Sequence, residues 1–244
     1  MDILSVEHVS KRFAEHTALD DVSLSIPKGS VYGLLGPNGS GKTTLMKLLL
    51  KFYDPTEGRI TLDGRDLKEY RARAVRQAAG IVMQDNFVFS DTIRRNIELG
   101  EPDDPDRLGQ AIGAACLKSY VEGLPLGVET KIGNEGMGLS GGEKQRIMIA
   151  RAIYKRPLYM MLDEATSSLD AENERHITEN LSHLFHGRTM VVIAHRLSTV
   201  RRADQIVVLR QGRVVETGTH ETLVAARGYY YELIKNQLEL ADER

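Results

Sequence analysis

The sequence predicts an α/β fold with a largely parallel sheet, a smaller antiparallel β subdomain and an inserted helical subdomain. Three observations predict it. Apolar runs of strand length, such as YGLL and YMML, alternate with stretches of helical periodicity. Two segments, GRITLDGRDL and QIVVLRQGRVVETG, place β-branched or alternating residues around a short turn, as antiparallel hairpins do. Between about residues 87 and 156, helix signals replace the β-branched runs.

Composition limits the classes of function. The chain has 244 residues, 41% of them hydrophobic, and a formal net charge of −2, which gives no overall electrostatic preference for nucleic acid or anionic lipid. Cys116 is the single cysteine, and the start MDILSVEHVSKRF lacks the apolar region of a secretory signal. Both features favour a reducing, cytosolic compartment. Since no run of about 18 apolar residues occurs, we expect that the chain itself does not span a membrane.

The first motif follows the strand-like run VYGLLG and precedes the helical pattern TTLMKLLLK. Its sequence, GPNGSGKT, matches G-x-x-x-x-G-K-[ST], in which glycines let backbone N–H groups turn toward phosphate oxygens beside a helix N-terminus. Lys42 is expected to reach the β- and γ-phosphates, Thr43 to hold Mg²⁺ and Thr44 to support the α- or β-phosphate. The alternative is a glycine-rich turn that only joins a strand to a helix, and the agreement of motif and flanks disfavours it. The segment therefore predicts a P-loop NTPase (RecA-like) core with a nucleotide site at Gly36, Pro37, Asn38, Gly39, Ser40, Gly41, Lys42, Thr43 and Thr44.

The second motif is acidic, and it supplies ligands for a metal ion that would bind beside the phosphates. In PLYMMLDEATSSLD an apolar strand ends at Asp163 and Glu164, where parallel strands meet a ligand. Asp163 is expected to position Mg²⁺ and Glu164 to polarise the water that attacks the γ-phosphate. Alone, the acidic pair would equally suit the N-terminus of a helix. The phosphate loop decides for the catalytic interpretation.

A third motif, LSGGEKQR, spans Leu139 to Arg146. Ser140 and Glu143 have the spacing of a capping box at the start of the following helix. Gly141 and Gly142 leave backbone N–H groups open to an anion, so the same segment is a second phosphate-binding surface. We expect both interpretations to hold.

These motifs together resemble the ATP-binding cassette (ABC) family, whose signature LSGGQ is read here with Glu143 in the fifth position. The resemblance covers nearly the whole chain and implies one Mg-dependent ATPase domain over residues 1–244. Its RecA-like core and β subdomain are expected at 1–86 and 157–244, and its helical signature subdomain at 87–156.

The resemblance also implies further site residues. Gln84 matches the Q-loop glutamine, which contacts Mg²⁺ and the attacking water, and His195 matches the switch histidine at the γ-phosphate. Asp170, in SSLD, matches the D-loop that crosses to the partner subunit, although it also suits a helix cap. Phe13 takes the approximate place of the aromatic residue that stacks on adenine; its alternative is a strand residue in a small core. The catalytic set is thus Glu164, His195, Gln84 and Lys42.

Two segments resemble exporters in particular. NFVFSDTIRRNI resembles the region after the Q-loop, and GNEG makes Glu135 a candidate contact to a transmembrane partner. Phe87, Val88 and Phe89 are expected either to pack in a core or to line an exposed groove for a coupling helix. The tail from IAHRLSTV onward resembles peptide- and bacteriocin-exporting transporters, whereas the front resembles stand-alone cassettes with a separate permease. A separate subunit, an excised domain and an engineered combination of two cassettes all remain open.

The expected function is that of an ATP-binding and ATP-hydrolysing motor. Two chains are expected to dimerise head to tail around two Mg-ATP and to power transport through a transmembrane partner. Peptides are the expected cargo class, and the chain is expected in the cytoplasm, at the inner face of the membrane when it is bound to that partner. One alternative is an engineered or non-transport ABC ATPase, but no coiled-coil insertion and no nucleic-acid footprint are visible. The other is an ATP-dependent assembly module with little turnover, which Glu164 and His195 argue against.

Overall fold

The computed structural model describes residues 2–84, 87–133, 136–193 and 200–242. These residues form two compact units, one of residues 1–79, 161–163 and 187–244 and one of residues 80–160 and 164–186. The subdomain boundaries expected from the sequence stay a prediction. Across the described ranges, every helix is too short or too polar to cross a membrane.

The described strands and helices are numbered in chain order. The strands are β1 (Asp2–Phe13), β2 (His16–Pro27), β3 (Val31–Leu35), β4 (Glu57–Leu62), β5 (Arg65–Asp66), β6 (Ala79–Val82), β7 (Asp91–Thr92), β8 (Lys131–Ile132), β9 (Tyr159–Asp163), β10 (Thr189–Ile193), β11 (Gln205–Arg210) and β12 (Arg213–Gly218). The α-helices are α1 (Lys42–Leu49), α2 (Ala72–Ala78), α3 (Ile93–Glu98), α4 (Pro105–Ala114), α5 (Lys118–Glu122), α6 (Gly141–Tyr154), α7 (Ala171–Leu184), α8 (His220–Ala226) and α9 (Tyr229–Asp242).

A six-stranded sheet has the order β12-β11-β3-β10-β9-β6. Its β3 is parallel to both β10 and β11, as the alternating sequence pattern predicts. All five residues of β9 and of β10 are buried, which is typical of inner strands covered on both faces. The carboxyl end of β3 leads directly into the phosphate loop, so this sheet positions that part of the site.

A four-stranded antiparallel sheet has the order β2-β1-β4-β5. The segment GRITLDGRDL forms its β4–β5 hairpin, whose turn residues Asp63 and Gly64 both have positive φ, as a two-residue hairpin turn requires. The long β1–β2 hairpin supplies the rest of the sheet. The second expected hairpin, QIVVLRQGRVVETG, is also antiparallel, but its β11 and β12 form one edge of the six-stranded sheet.

The second unit carries the helices that the sequence predicts between residues 87 and 156. Helices α3 and α4 pack on α6, which buries residues along almost its whole second half. The helical pattern around AACLKS is divided into α4 and α5, because Cys116 lies between them in the left-handed region with φ 54°. This arrangement presents the first turn of α6 at the surface of its unit.

Candidate active site

The phosphate loop connects β3 to α1, as predicted. Two of its glycines are required by close backbone approaches. A Cβ on Gly36, where φ is 152°, would lie 2.2 Å from the carbonyl oxygen of Leu209, and one on Gly41, where φ is 102°, would lie 2.6 Å from that of Ala18. Larger residues therefore cannot hold this loop in place without moving the backbone. No side chain caps α1 at Gly41, which leaves the start of the helix suited to an anion.

Lys42 and Ser40 place polar groups inside the loop. Lys42 is 5% exposed, and its Nζ donates to the carbonyl oxygens of Gly36 at 2.7 Å and Pro37 at 3.0 Å. Ser40 is buried, and its Oγ has no hydrogen-bond partner among the described residues. A buried hydroxyl without a partner calls for a ligand or water, since leaving it unpaired is costly. The ammonium group and the free hydroxyl suit a phosphate.

The acidic pair lies at the end of β9, as predicted. Asp163 is the last residue of the strand, is fully buried and belongs to the same unit as the phosphate loop. Glu164 follows in the left-handed region with φ 52° and belongs to the second unit. Such a φ is uncommon for a residue with a Cβ and marks a turn that its surroundings must hold in place.

The signature segment forms the predicted capping box. Ser140 Oγ accepts from the N–H of Glu143 at 3.2 Å, and the Glu143 carboxylate accepts from the N–H of Ser140 at 2.7 Å. Ser140 and Gly141 are exposed at the start of α6, and Gly142 is half-buried. Because Ser140 and Gly141 are exposed, this helix N-terminus is accessible to an anion.

The remaining predicted residues are spread over both units. Gln84 is exposed two residues after β6 in the second unit. Phe13 ends β1 in the first unit, is 37% exposed and meets Tyr53 edge to face with 5.2 Å between ring centroids.

Asp170 caps α7 by accepting from the N–H of Asn173 at 2.9 Å, which confirms its capping role and leaves its contact to a partner subunit a prediction. His195 and Glu135 lie outside the described residues.

Sequence reasoning missed three polar residues of the second unit that organise the site's surroundings. Gln145 binds the backbone after Asp163, and Arg151 with Asn96 holds the segment that contains Phe87 and Phe89. Gln145 is in the quoted signature segment, and the polar Asn96 and Arg151 interrupt otherwise apolar helix faces. A polar residue on a packed helix face was thus the available signal.

The chain is similar to known proteins in sequence and in fold. A family profile described as ABC transporter matches residues 19–167. The chain is 49% identical over 240 residues to an ATP-dependent lipid A-core flippase of Cupriavidus pinatubonensis, an alignment of 96% of this chain and 41% of the flippase. It is 48% identical over 224 residues to the flippase of that name from Paraburkholderia xenovorans, covering 92% of this chain and 37% of the relative. A solved structure of a bacterial Atm1-family ABC exporter with ATP bound is similar with a TM-score of 0.93 and 38% identity, covering 96% of this chain and 42% of the exporter chain.

The fold and the loop between β3 and α1 define a P-loop nucleotide-binding protein. With the family match over residues 19–167, the chain belongs to the ABC transporter family and forms an ATPase domain that binds ATP. It spans about two fifths of the length of the curated relatives that it matches. One alignment covers both the front and the rear of the chain, so the different resemblances of the two halves do not require an engineered combination.

Proposed function

We propose that this chain is the ATP-hydrolysing motor domain of an ABC exporter and that two copies close head to tail around two ATP molecules. The observation that supports the proposal is that one chain carries two separate surfaces suited to phosphate. One is the loop before α1, with Lys42 and Ser40, and the other is the exposed start of α6 at Ser140. They belong to different compact units, and a head-to-tail pair gives each nucleotide one surface from each chain.

Within one half-site, the backbone N–H groups of the loop and Lys42 bind the phosphates, and Phe13 stacks on the adenine. Glu164 accepts a proton from the attacking water, and Gln84 and His195 orient that water and the γ-phosphate. Ser140, Gly141, Gly142 and Glu143 of the other chain complete the pocket. Closing it excludes water and surrounds the developing charge with fixed dipoles.

A magnesium ion suits the oxygen donors that the first unit supplies. The hydroxyl of Thr43 and the buried carboxylate of Asp163 lie in the same unit, and both are ligands that Mg²⁺ prefers. Gln84 is the third proposed contact. When bound, the ion neutralises part of the negative charge on the β- and γ-phosphates.

The partner that we propose is a transmembrane domain, with this chain at the inner face of the membrane. Phe87 and Phe89 support a docking surface, because their side chains are 63% and 45% exposed and their ring centroids lie 5.2 Å apart. The relatives' names favour a lipid A-core glycolipid as the cargo class. Peptide export, expected from the tail, rests on sequence pattern alone.

The decisive experiment measures phosphate release per chain against protein concentration at saturating Mg-ATP. Turnover should rise with concentration, because each pocket needs two chains. Glu164→Gln should reduce turnover by roughly 10² to 10⁴ while ATP still binds, since it removes the base and keeps the shape. Ser140→Arg should block the dimer and leave ATP binding within a few fold.

Two results would contradict the proposal. Turnover that stays constant down to concentrations at which sedimentation finds only monomers would exclude a shared site. Wild-type turnover in Glu164→Gln would exclude Glu164 as the base.

A further inference from the structure

Gln145, in the second turn of α6, binds the segment that follows β9 through its whole amide group. Its Nε2 donates to the carbonyl oxygen of Glu164 at 3.1 Å and to Ser167 Oγ at 2.9 Å. Its Oε1 accepts from the N–H of Ser168 at 2.9 Å. Because both amide hydrogens and the oxygen are used, only one orientation of the side chain satisfies all three contacts.

The segment 164–169, which we call the base loop, has an unusual backbone at its first residue. Glu164 has φ 52°, and its carbonyl oxygen also accepts from the N–H of Ser167 at 3.1 Å. A left-handed conformation is strained for a residue with a Cβ, so neighbouring contacts must hold it. Gln145 provides a further contact to the carbonyl oxygen of Glu164.

The base loop also packs directly on the start of α6. A Cβ on Gly141 would lie 3.3 Å from the Cβ of Ser168, and one on Gly142 would lie 3.3 Å from the Ser168 carbonyl oxygen. Gly141 and Gly142 therefore pack closely against the base loop. These contacts and those of Gln145 all lie within the second unit.

We propose that Gln145 is a positioning residue for ATP hydrolysis that links the Ser140 end of α6 to the backbone of Glu164. The inference rests on the proposed function. There, Ser140 contacts the nucleotide on the partner's loop, whereas Glu164 acts on the nucleotide of its own loop. A shift of α6 when ATP engages Ser140 is passed through the amide of Gln145 to Glu164, so occupancy of one site sets the geometry of the base in the other.

The test compares Gln145→Leu and Gln145→Glu with Gln110→Leu, a matched change at an exposed position on α4. Gln145→Leu removes all three hydrogen bonds, and Gln145→Glu keeps the acceptor for Ser168 but loses the donor to Glu164. We expect kcat to fall about 10- to 100-fold in both, the usual scale for a misplaced catalytic group. KM and the binding of a non-hydrolysable ATP analogue should stay within about twofold, and the Hill coefficient for ATP should fall toward one.

A double-mutant cycle with Ser167→Ala gives a second readout. Ser167→Ala should reduce kcat in the wild-type background and have a smaller effect beside Gln145→Leu, because the contact to Gln145 is already lost there. Wild-type kcat and Hill coefficient in both Gln145 variants would overturn the proposal. So would parallel losses of kcat, ATP binding and thermal stability, which indicate a merely structural role. If Glu164→Gln is inactive while the Gln145 variants are normal, only this inference fails; if Glu164→Gln is fully active, the proposed function fails.

Discussion

Arg151 is joined to Asn96 by two hydrogen bonds, from Nε to the main-chain oxygen at 2.7 Å and from Nη2 to Oδ1 at 3.2 Å. Asn96 is 1% exposed, and its amide nitrogen donates to the carbonyl oxygens of Phe89 and Thr92, both at 3.0 Å. Burial lowers the pKa of Arg151 to about 10, so the guanidinium is still charged at neutral pH. Together the two side chains tie residues 87–92 to α6.

Replacing Asn96 with Leu should therefore destabilise the second unit. The change removes the partners of the Phe89 N–H and of two carbonyl oxygens, and it leaves the half-buried Arg151 with one acceptor fewer. Such losses cost about 1–3 kcal/mol. Denaturant unfolding should show the loss, and chymotrypsin should cut faster after Phe87 and Phe89. Gln110→Leu serves as the control, and a wild-type midpoint for Asn96→Leu would contradict the expected role of the pair.

The exposed Phe87 and Phe89 should matter for a partner rather than for folding. The double change Phe87→Ser and Phe89→Ser should alter the stability of the chain by less than about 1 kcal/mol, because neither ring is buried. In an exporter that contains this domain, it should abolish ATP-driven transport, since the apolar docking surface is lost. Normal transport would exclude this surface, and a large loss of stability would show that the rings pack in a core.

Gly36 and Gly39 allow a matched test of the phosphate loop. Both have positive φ, but a Cβ on Gly36 collides with the Leu209 carbonyl oxygen at 2.2 Å, whereas nothing lies within 4 Å of one on Gly39. Gly36→Ala should lower ATP affinity at least about 100-fold because the loop must move. Gly39→Ala should cost only the strain of the left-handed conformation, about 1–2 kcal/mol, or roughly tenfold in affinity. Equal losses in isothermal titration would show that the close approach at Gly36 does not shape the loop.

The sequence predicts the features of the site that depend on local patterns, but not the contacts between distant residues. The phosphate loop, the Asp163 strand end and the Ser140 capping box depend on spacing within a few residues, so local patterns specify them. The Gln145 contacts join residues 19 to 23 positions apart across β9, and only the packing of α6 on the base loop brings them together. The edge position of the β11–β12 hairpin has a similar cause, because its parallel partner β3 lies far away in the sequence.

Asp170 gives a prediction about acid. The backbone N–H of Asn173 lowers the pKa of the Asp170 carboxyl, with a further contribution from the Asn173 side chain. A carboxyl with a lowered pKa in the folded state stabilises the fold above its unfolded pKa of about 3.9, and the contribution disappears as pH falls through the folded value. Asp170→Ala should therefore lower the Tm at neutral pH, and its difference from wild type should shrink below about pH 4.

The matched variant is Asp170→Asn, which still accepts from the N–H of Asn173 but does not ionise in this range. It should keep most of the neutral-pH stability and lose the pH dependence. A difference between Asp170→Ala and wild type that stays constant from pH 7 to pH 3 would show that the ionised carboxyl does not contribute.

Glu216, in β12, caps the last described helix from outside that helix. Its carboxylate accepts from the N–H groups of Tyr229 at 2.7 Å and Tyr230 at 2.8 Å, at the start of α9. Tyr230 is fully buried, and its hydroxyl forms a hydrogen bond with His220 Nδ1 at 2.8 Å. This bond joins α9 to α8 next to the cap.

Glu216→Ala should loosen α9 by about 1–2 kcal/mol, because two helix N–H groups lose an ionised acceptor. Hydrogen exchange should become faster throughout α9 while the β11–β12 hairpin stays protected. Glu216→Gln should lose only part of this stabilisation of α9, since its neutral amide oxygen can still accept from an N–H group. The control is Glu232→Ala, an exposed acid in the first turn of the same helix, which should change local stability by only a few tenths of a kcal/mol. Equal exchange rates in Glu216→Ala and Glu232→Ala would mean that packing of Tyr230, rather than the carboxylate, holds the helix.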